Sequence, residues 1–232
     1  MAILAGLALN ALGQQSFFDV INSEMTPHKK VLAQWQVSLS RQQIGNQLTF
    51  DYGLGRGWEI GLNINQLTYE TKTARFLLND TANAAAIAPE LLLNAQKVFA
   101  LNDRFNLGIG GQAGLDPASD RLFSTFIAFA YANLTGKFCH ERVKTVTGFY
   151  SGNQHYLGRG SPLGVHIGVE AAILYQKIHF VGEYATGNNG LGHMAFGGQV
   201  FLAKSLPLLI GWRRARQDGQ QSIIVELTYT PK

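Results

Sequence analysis

The amino-acid sequence predicts an all-β protein, namely a single closed antiparallel up-and-down β-barrel of about twelve strands. Three observations support this prediction. Apolar and polar side chains alternate with a period of two from Val31 to the C-terminus. Clusters of Gly, Asn and Pro divide this alternation into short runs, as turns divide strands. Charged residues make up only 15% of the chain, against roughly 25% in an average soluble protein, so the polar face is typical of an enclosed surface.

The alternation is clear in residues 57–65. There Trp58 and Ile60 fall on one face of an extended chain, while Glu59 and Gly61 fall on the other. The same criterion, applied in order along the chain, predicts strands at Val31 to Arg41, Gln47 to Leu54, Trp58 to Tyr69, Leu91 to Leu101, Arg104 to Ala113, Arg121 to Leu134, Phe138 to Tyr150, Gly164 to Leu174, Gln176 to Thr186, His193 to Ala203, Leu206 to Arg216 and Gln221 to Thr230.

The connections between these strands alternate between short and long. Short turns are predicted at Gly55 to Gly57, Thr135 to Lys137 and Tyr175, and long loops at Glu70 to Glu90 and Ser151 to Leu163. Short turns on one rim, long loops on the other and an even number of strands are typical of a bacterial outer-membrane barrel. Both termini then lie on the short-turn rim, which faces the periplasm.

The alternation alone leaves open whether the apolar face meets lipid or a dry core, because a soluble barrel or sandwich follows the same pattern. Three features favour lipid and hence a membrane-embedded barrel in a Gram-negative outer membrane. The polar face is mostly uncharged, aromatic residues such as Trp35, Trp58 and Trp212 lie on the apolar face, where several of the aromatic residues are near strand ends, and the N-terminus is similar to an export signal.

The chain divides into three parts. Residues 1–13, MAILAGLALNALG, are apolar and end in small residues, which predicts a residual signal-peptide segment. Residues 14–30 are predicted to be a periplasmic N-terminal segment, and residues 31–232 the barrel domain. The net charge of +4 without a run of like charges argues against a nucleic-acid partner. The single cysteine, Cys139, excludes an internal disulfide and a cysteine-based zinc cluster.

Two phrases in the first third of the chain resemble outer-membrane barrel families of transporter-like and porin-like proteins. Val20 to Pro27 is similar to the phrase V-I-N-x-x-x-x-P that precedes the first strand in those families. Tyr52 to Gly61 is similar to their hairpin phrase Y-G-L-x-x-x-x-E-I-G. The resemblance implies a membrane barrel and a role in transport, without a defined substrate.

If the apolar face meets lipid, the residues that alternate with the apolar ones face the lumen. The charged residues and histidines predicted to line the lumen are Asp51, Glu59, His140, Arg142, Lys144, His166, Glu170, Lys177, His179, Glu183, Arg213 and Glu226. We expect them to pair with one another or to line a narrow aqueous passage. Arg214 and Arg216 are predicted at the long-loop rim, where guanidinium groups could meet lipopolysaccharide phosphates.

The most specific local pattern is a pair of similar segments, HIGVE at residues 166–170 and HFVGE at residues 179–183. Antiparallel pairing around Tyr175 would place His166 near Glu183 and His179 near Glu170, as one lumenal cluster. Such pairs serve as structural ion pairs, orient a general base in catalysis, or hold a metal. Because no nucleophile motif accompanies them, we expect the structural role, with no cofactor and no metal.

Three functions remain open at this stage. The first is a passive channel or transporter for small solutes, with the lumenal charges setting its selectivity. The second is a structural or assembly barrel within a larger envelope complex, which would fit a lumen plugged by residues 14–30. The third is an outer-membrane lipid-modifying enzyme that uses the His and Glu pairs. The expected partners are membrane lipid and lipopolysaccharide.

Overall fold

The protein is a closed antiparallel β-barrel of twelve long strands in a computed structural model that describes residues 17–81, 85–120 and 125–230. This confirms the predicted fold class. The predicted signal segment of residues 1–13 lies outside the described residues. The strands are β1 Val31–Leu39, β2 Gln43–Gly55, β3 Trp58–Glu70, β5 Glu90–Ala100, β6 Phe105–Leu115, β7 Ile127–Phe138, β8 Val143–Gly152, β9 Leu163–Leu174, β10 Ile178–Ala185, β11 His193–Ala203, β12 Leu206–Ala215 and β13 Gln221–Tyr229, with a two-residue strand β4, Arg75–Phe76, paired to the end of β3.

The first and last strands close the sheet. Ala33 of β1 lies opposite Phe50 of β2 on one side and opposite Tyr229 of β13 on the other. Every barrel strand therefore has a neighbour on both sides, and the barrel has no free edge. The only helix among the described residues is α1, Gln154–Leu157, in the loop between β8 and β9. No helix in the described part of the chain is long and apolar enough to cross a membrane.

The alternation of the sequence appears directly in the side-chain exposure. In β3, Trp58 and Ile60 are 48% and 45% exposed, while Glu59 and Asn63 are 3% and 6% exposed. The same pattern recurs around the barrel, so that large apolar side chains cover the outside and polar side chains fill the inside. An apolar outer surface of this extent is the surface that a transmembrane barrel presents to lipid.

The two rims differ as predicted, but one turn was misplaced. The predicted turn at Thr135 to Lys137 is wrong, because β7 continues to Phe138 and the chain turns at residues 139–142. Cys139, His140 and Glu141 adopt left-handed backbone conformations, with φ of 53°, 55° and 62°. None of them is a residue type that signals a turn strongly, so the sequence does not indicate where this turn lies.

The N-terminal segment enters the barrel. The structure places residues 17–27, which we call the plug segment, in the lumen rather than in the periplasm, where the sequence analysis had expected residues 14–30. The Phe18 N–H donates to Glu183 on β10, and the Thr26 N–H donates to Glu59 on β3, on another part of the wall. The segment therefore crosses the lumen from one part of the wall to another.

Candidate functional site

The plug segment is seated on an apolar patch of the inner wall. Phe17, Phe18 and Val20 are buried against inward-facing side chains, which are Val146, Val181, Ala195, Leu209 and Ile224. Gly211 of β12 makes room for one of the rings, because a Cβ at this position would lie 2.3 Å from the Phe18 ring. This close approach requires a glycine in the wall and places Phe18 directly against the strand backbone.

Glu183 holds the start of the plug segment. Its buried carboxylate accepts hydrogen bonds from the N–H groups of Phe18, Asp19 and Val20 at 2.9, 3.0 and 3.1 Å. It also lies 2.5 Å from Nε2 of His193 on β11. Three successive backbone N–H groups directed at one anion form a concave anion site, so the carboxylate fixes the local backbone conformation of the plug.

Asp19 completes this cluster. We call Asp19, Gln36, Glu183, His193 and Arg213 together the anchor network. Its carboxylate accepts hydrogen bonds from Arg213 at 2.7 Å and from Gln36 at 3.0 Å. Burial alone would raise the pKa of Asp19, but the positive charges of Arg213 and His193, together with the Gln36 amide, hold that pKa at about 2. The plug is therefore attached through a carboxylate of the wall and a carboxylate of its own.

The anchor network has the composition of a metal site but not its hydrogen-bonding pattern. One ligand atom each of Asp19, Glu183 and His193 lie within 4.8 Å of one another. However, Nδ1 of His193 faces the carbonyl oxygen of Leu191 at 2.8 Å, and Nε2 faces the Glu183 carboxylate. An imidazolium satisfies both of these acceptors. The carboxylates of Glu183 and Asp19 already accept hydrogen bonds from the plug N–H groups, Arg213 and Gln36, so the cluster is satisfied by protein groups alone.

A second ionic cluster holds the later part of the plug. Glu24 pairs with Lys144 at 2.9 Å and with Lys137 at 3.5 Å. Lys144 lies 3.8 Å from Glu170, whose carboxylate is hydrogen-bonded to Nδ1 of His179. The alternating charges leave each ion of this cluster with a partner of opposite sign.

The four residues of the two His and Glu segments do not form the single cluster that the sequence analysis predicted. The predicted contact between His179 and Glu170 is present. The predicted contact between His166 and Glu183 is wrong, because Glu183 binds the plug and His193, while Nε2 of His166 lies 2.6 Å from Oδ1 of Asn133. The two pairs thus belong to different networks.

The other residues predicted to line the lumen divide into two groups. Buried or half-buried on the inner wall are Asp51, Glu59, Lys144, His166, Glu170, His179, Glu183, Arg213 and Glu226. Exposed on short turns instead of in the lumen are His140, Arg142 and Lys177. The misplaced turn after β7 explains the first two, and Lys177 lies in the tight turn before β10, where the alternation no longer applies. Sequence analysis missed Asp19 and Glu24, since a plug formed by residues 14–30 was only one of its alternatives, and it missed His193, which lies at the first position of β11.

A polar cavity of about 140 Å³ lies between the plug and the wall made by β1, β2, β3, β5 and β6, enough for about ten water molecules at roughly 10–15 Å³ each. Amide side chains dominate its lining, and they are Gln34, Gln36, Gln47, Asn63, Asn65, Gln66, Asn94, Gln96 and Gln112. Neighbouring amides are hydrogen-bonded, as between Asn63 and Gln112 at 2.8 Å.

The cavity is acidic and long. Four carboxylates, those of Asp19, Asp51, Glu59 and Glu90, are among its lining residues, and none of the described lining residues is Lys, Arg or His. Glu59 lies near the short-turn rim, and Glu90 lies opposite Asn65 toward the long-loop rim. The six residue steps from Glu59 to Asn65 span about 20 Å along the strand, so the cavity follows the wall over much of its height.

Arg214 and Arg216 lie where the sequence analysis placed them. Both are exposed near the end of β12, at the rim of the long loops. The Arg216 guanidinium lies 5.3 Å from the centre of the Tyr184 ring and is hydrogen-bonded to its hydroxyl. The arginine is thus fixed on the outer surface beside an aromatic side chain.

No protein-family model and no curated protein matches the sequence. Solved structures match its fold. They include the KdgM porin in complex with disordered oligogalacturonate (TM-score 0.63, 7% identity, covering 87% of this chain and 99% of that chain). They also include the NanC porin (0.57, 9%, 88% and 100%) and an outer membrane channel from Pseudomonas putida F1 (0.54, 12%, 90% and 97%).

The chain shares the barrel fold of these porins and channels. Almost the whole length of each of them aligns with this chain, so the likeness extends over the complete barrel. It agrees with the resemblance of the N-terminal phrases to outer-membrane barrel families. At identities of 7 to 12% the likeness concerns the fold, and the chemistry of the lumen depends on the side chains of this chain.

Proposed function

We propose that this protein is a bacterial outer-membrane channel that passes small neutral or cationic solutes by diffusion. The observation that carries the proposal is the polar cavity beside the plug, which is lined by amides and carboxylates over much of the height of the barrel. Amide side chains offer both donors and acceptors, so they can replace the water around an uncharged polar solute. The carboxylates add a preference for positive charge.

The proposed location follows from the outer surface. Its apolar side chains meet the hydrocarbon of the bilayer, and Trp58 and Tyr229 lie at strand ends, at the depth of an interface. The porin fold of similar structures supports an outer membrane. Arg214 and Arg216 then meet lipopolysaccharide phosphates at the long-loop rim.

The proposed selectivity differs from what one similar porin binds. That porin was solved with oligogalacturonate, an oligosaccharide whose galacturonate units carry carboxylates. In this chain the carboxylates of Asp51, Glu59 and Glu90 line the cavity without a lysine or arginine among the described lining residues. A lining without lysine or arginine offers no cationic partner for the carboxylates of a polyanion, so we propose neutral and cationic solutes instead.

A structural or assembly barrel within an envelope complex is the second candidate. The plug segment favours it, since it occupies part of the lumen and is held by two ionic clusters. The long-loop rim also favours it, because Ile87, Leu92 and Ile127 are fully buried there, with Tyr156 packed against them. The His and Glu pairs serve as anchors, and in the described structure neither is hydrogen-bonded to a Ser, Thr or Cys side chain that could act as a nucleophile.

Purified protein in planar bilayers separates the candidates. We expect the conductance to rise in steps. Across a KCl gradient, we expect a reversal potential whose sign shows that cations pass more readily than anions. Asp51→Asn should reduce that preference, because Asp51 lines the cavity, while Asp103→Asn in an exposed turn should not. Folding is checked by faster migration of the unheated protein on gels. Folded protein without conductance would overturn the channel and favour the structural barrel.

A further inference from the structure

One carboxylate of the polar cavity, at the end toward the long-loop rim, has an oxygen atom without a hydrogen-bond partner among the described residues. Glu90, the first residue of β5, is 1% exposed and lines the cavity. Asn65, its register partner on β3, donates to the carboxylate. The Oε1 atom has no hydrogen-bond partner among the described residues. A buried carboxylate oxygen without a partner is costly, and a donor that enters the cavity would remove this cost.

Aromatic rings line the same end of the cavity. Phe129 and Tyr156 are stacked with ring centres 4.6 Å apart. Helix α1 positions Tyr156, because the Asn153 side chain accepts a hydrogen bond from its N–H. Burial, together with the charge of Glu90, raises the pKa of the Tyr156 hydroxyl well above its usual range. Glu90 and Tyr156 therefore lie close enough to interact electrostatically.

We propose that this end of the cavity, built from Glu90, Asn65, Phe129 and Tyr156, binds a small organic ammonium ion. Its N–H group donates to Oε1 of Glu90, and its alkyl part lies against the rings of Phe129 and Tyr156. Aromatic faces attract organic cations, whereas a hard metal ion requires several oxygen ligands and gains little from two rings. The assignment rests on the proposed function only for the route by which the ligand enters.

The direct test is calorimetric titration of the folded barrel in detergent with ethylammonium chloride, against sodium chloride of equal concentration. We expect saturable binding of ethylammonium and none of sodium. Glu90→Gln should weaken binding at least about tenfold, a loss of about 1.4 kcal/mol. Phe129→Leu, which keeps the carboxylate, should weaken it about threefold, as loss of one cation–π contact does. Glu141→Gln, in a short turn outside the cavity, serves as the matched control and should bind as the wild type does.

Each result separates this inference from the proposed function. Equal binding of sodium and ethylammonium, or unchanged affinity in Glu90→Gln, would overturn the ammonium site even if the protein conducts ions. If ethylammonium binding depends on Glu90 but the protein does not conduct ions, the ammonium site is supported and the proposed channel function is wrong. The sodium comparison uses only wild-type protein, so the inference stays testable if a variant does not fold.

Discussion

The attachment of the plug depends on one side chain, Glu183, and the variant Glu183→Gln tests it. The glutamine keeps the size of the side chain but has one acceptor oxygen and one NH₂ group. In the wild type, Oε2 accepts from the N–H groups of Phe18 and Val20, while Oε1 accepts from Asp19 N–H and lies next to Nε2 of His193. An NH₂ group at either position faces two donors.

The expected loss follows from this count. Two buried donors lose their acceptor, at about 1–3 kcal/mol each, and the imidazolium of His193 loses its opposite charge. Breaking a buried ion pair from one side costs about 3–5 kcal/mol. We therefore expect the free energy of unfolding of Glu183→Gln to fall by about 3–5 kcal/mol.

Denaturant-induced unfolding in lipid vesicles measures this loss, with the fluorescence of the three tryptophans as the signal. Glu141→Gln is the matched control. Glu141 pairs with Lys137 at 3.6 Å in an exposed turn, and such a pair contributes about 0–1 kcal/mol. A Glu183→Gln variant as stable as this control, with an unchanged denaturant slope, would show that the carboxylate does not hold the plug.

Two further predictions concern the inner and outer surfaces of the wall. Gly211→Ala should lower the free energy of unfolding by about 1–3 kcal/mol through overpacking, because its Cβ would lie 2.3 Å from the Phe18 ring. Gly198→Ala should be nearly neutral, because its Cβ would have its nearest neighbour at 3.8 Å. Equal melting temperatures of the two variants would contradict the packing of Phe18 against Gly211. Leu62→Arg, on the outer face of β3, should cost about 2–4 kcal/mol in a bilayer, and Asn63→Arg, which faces the cavity, should cost less. Equal costs in vesicle unfolding experiments would mean that the outer face does not meet lipid.

Much of the barrel could be predicted from the sequence because the alternation of a strand is local information. Nearly every strand was predicted close to its observed position, and the inward side of β3 was predicted from residues 57–65 alone. Closure followed from the number of strands and from the shortage of charges. The turn after β7 could not be predicted, since its left-handed residues are not glycine or asparagine.

The pairing of the lumenal charges was predicted only where one hairpin decides it. Glu170 and His179 are nine residues apart on adjacent strands, and their contact follows from a tight turn. Glu183 was assigned to the wrong partner, because its hydrogen bonds reach Phe18, Asp19 and Val20, more than 160 residues away. A polar residue on an inward face can be recognised from its neighbours in sequence, but its partner depends on what crosses the lumen.

The sequence by itself therefore determined the barrel, its two rims, its apolar outer face and most of the residues inside it, since each of these follows from local periodicity and turn chemistry. Only the tertiary structure decided that residues 17–27 enter the lumen, that Asp19 and His193 complete the anchor network, and that a narrow acidic cavity remains beside the plug. The physical reason is that burial of a segment inside a closed sheet depends on complementary shape and charge on opposite walls, and residues distant in sequence meet there only after the barrel has closed.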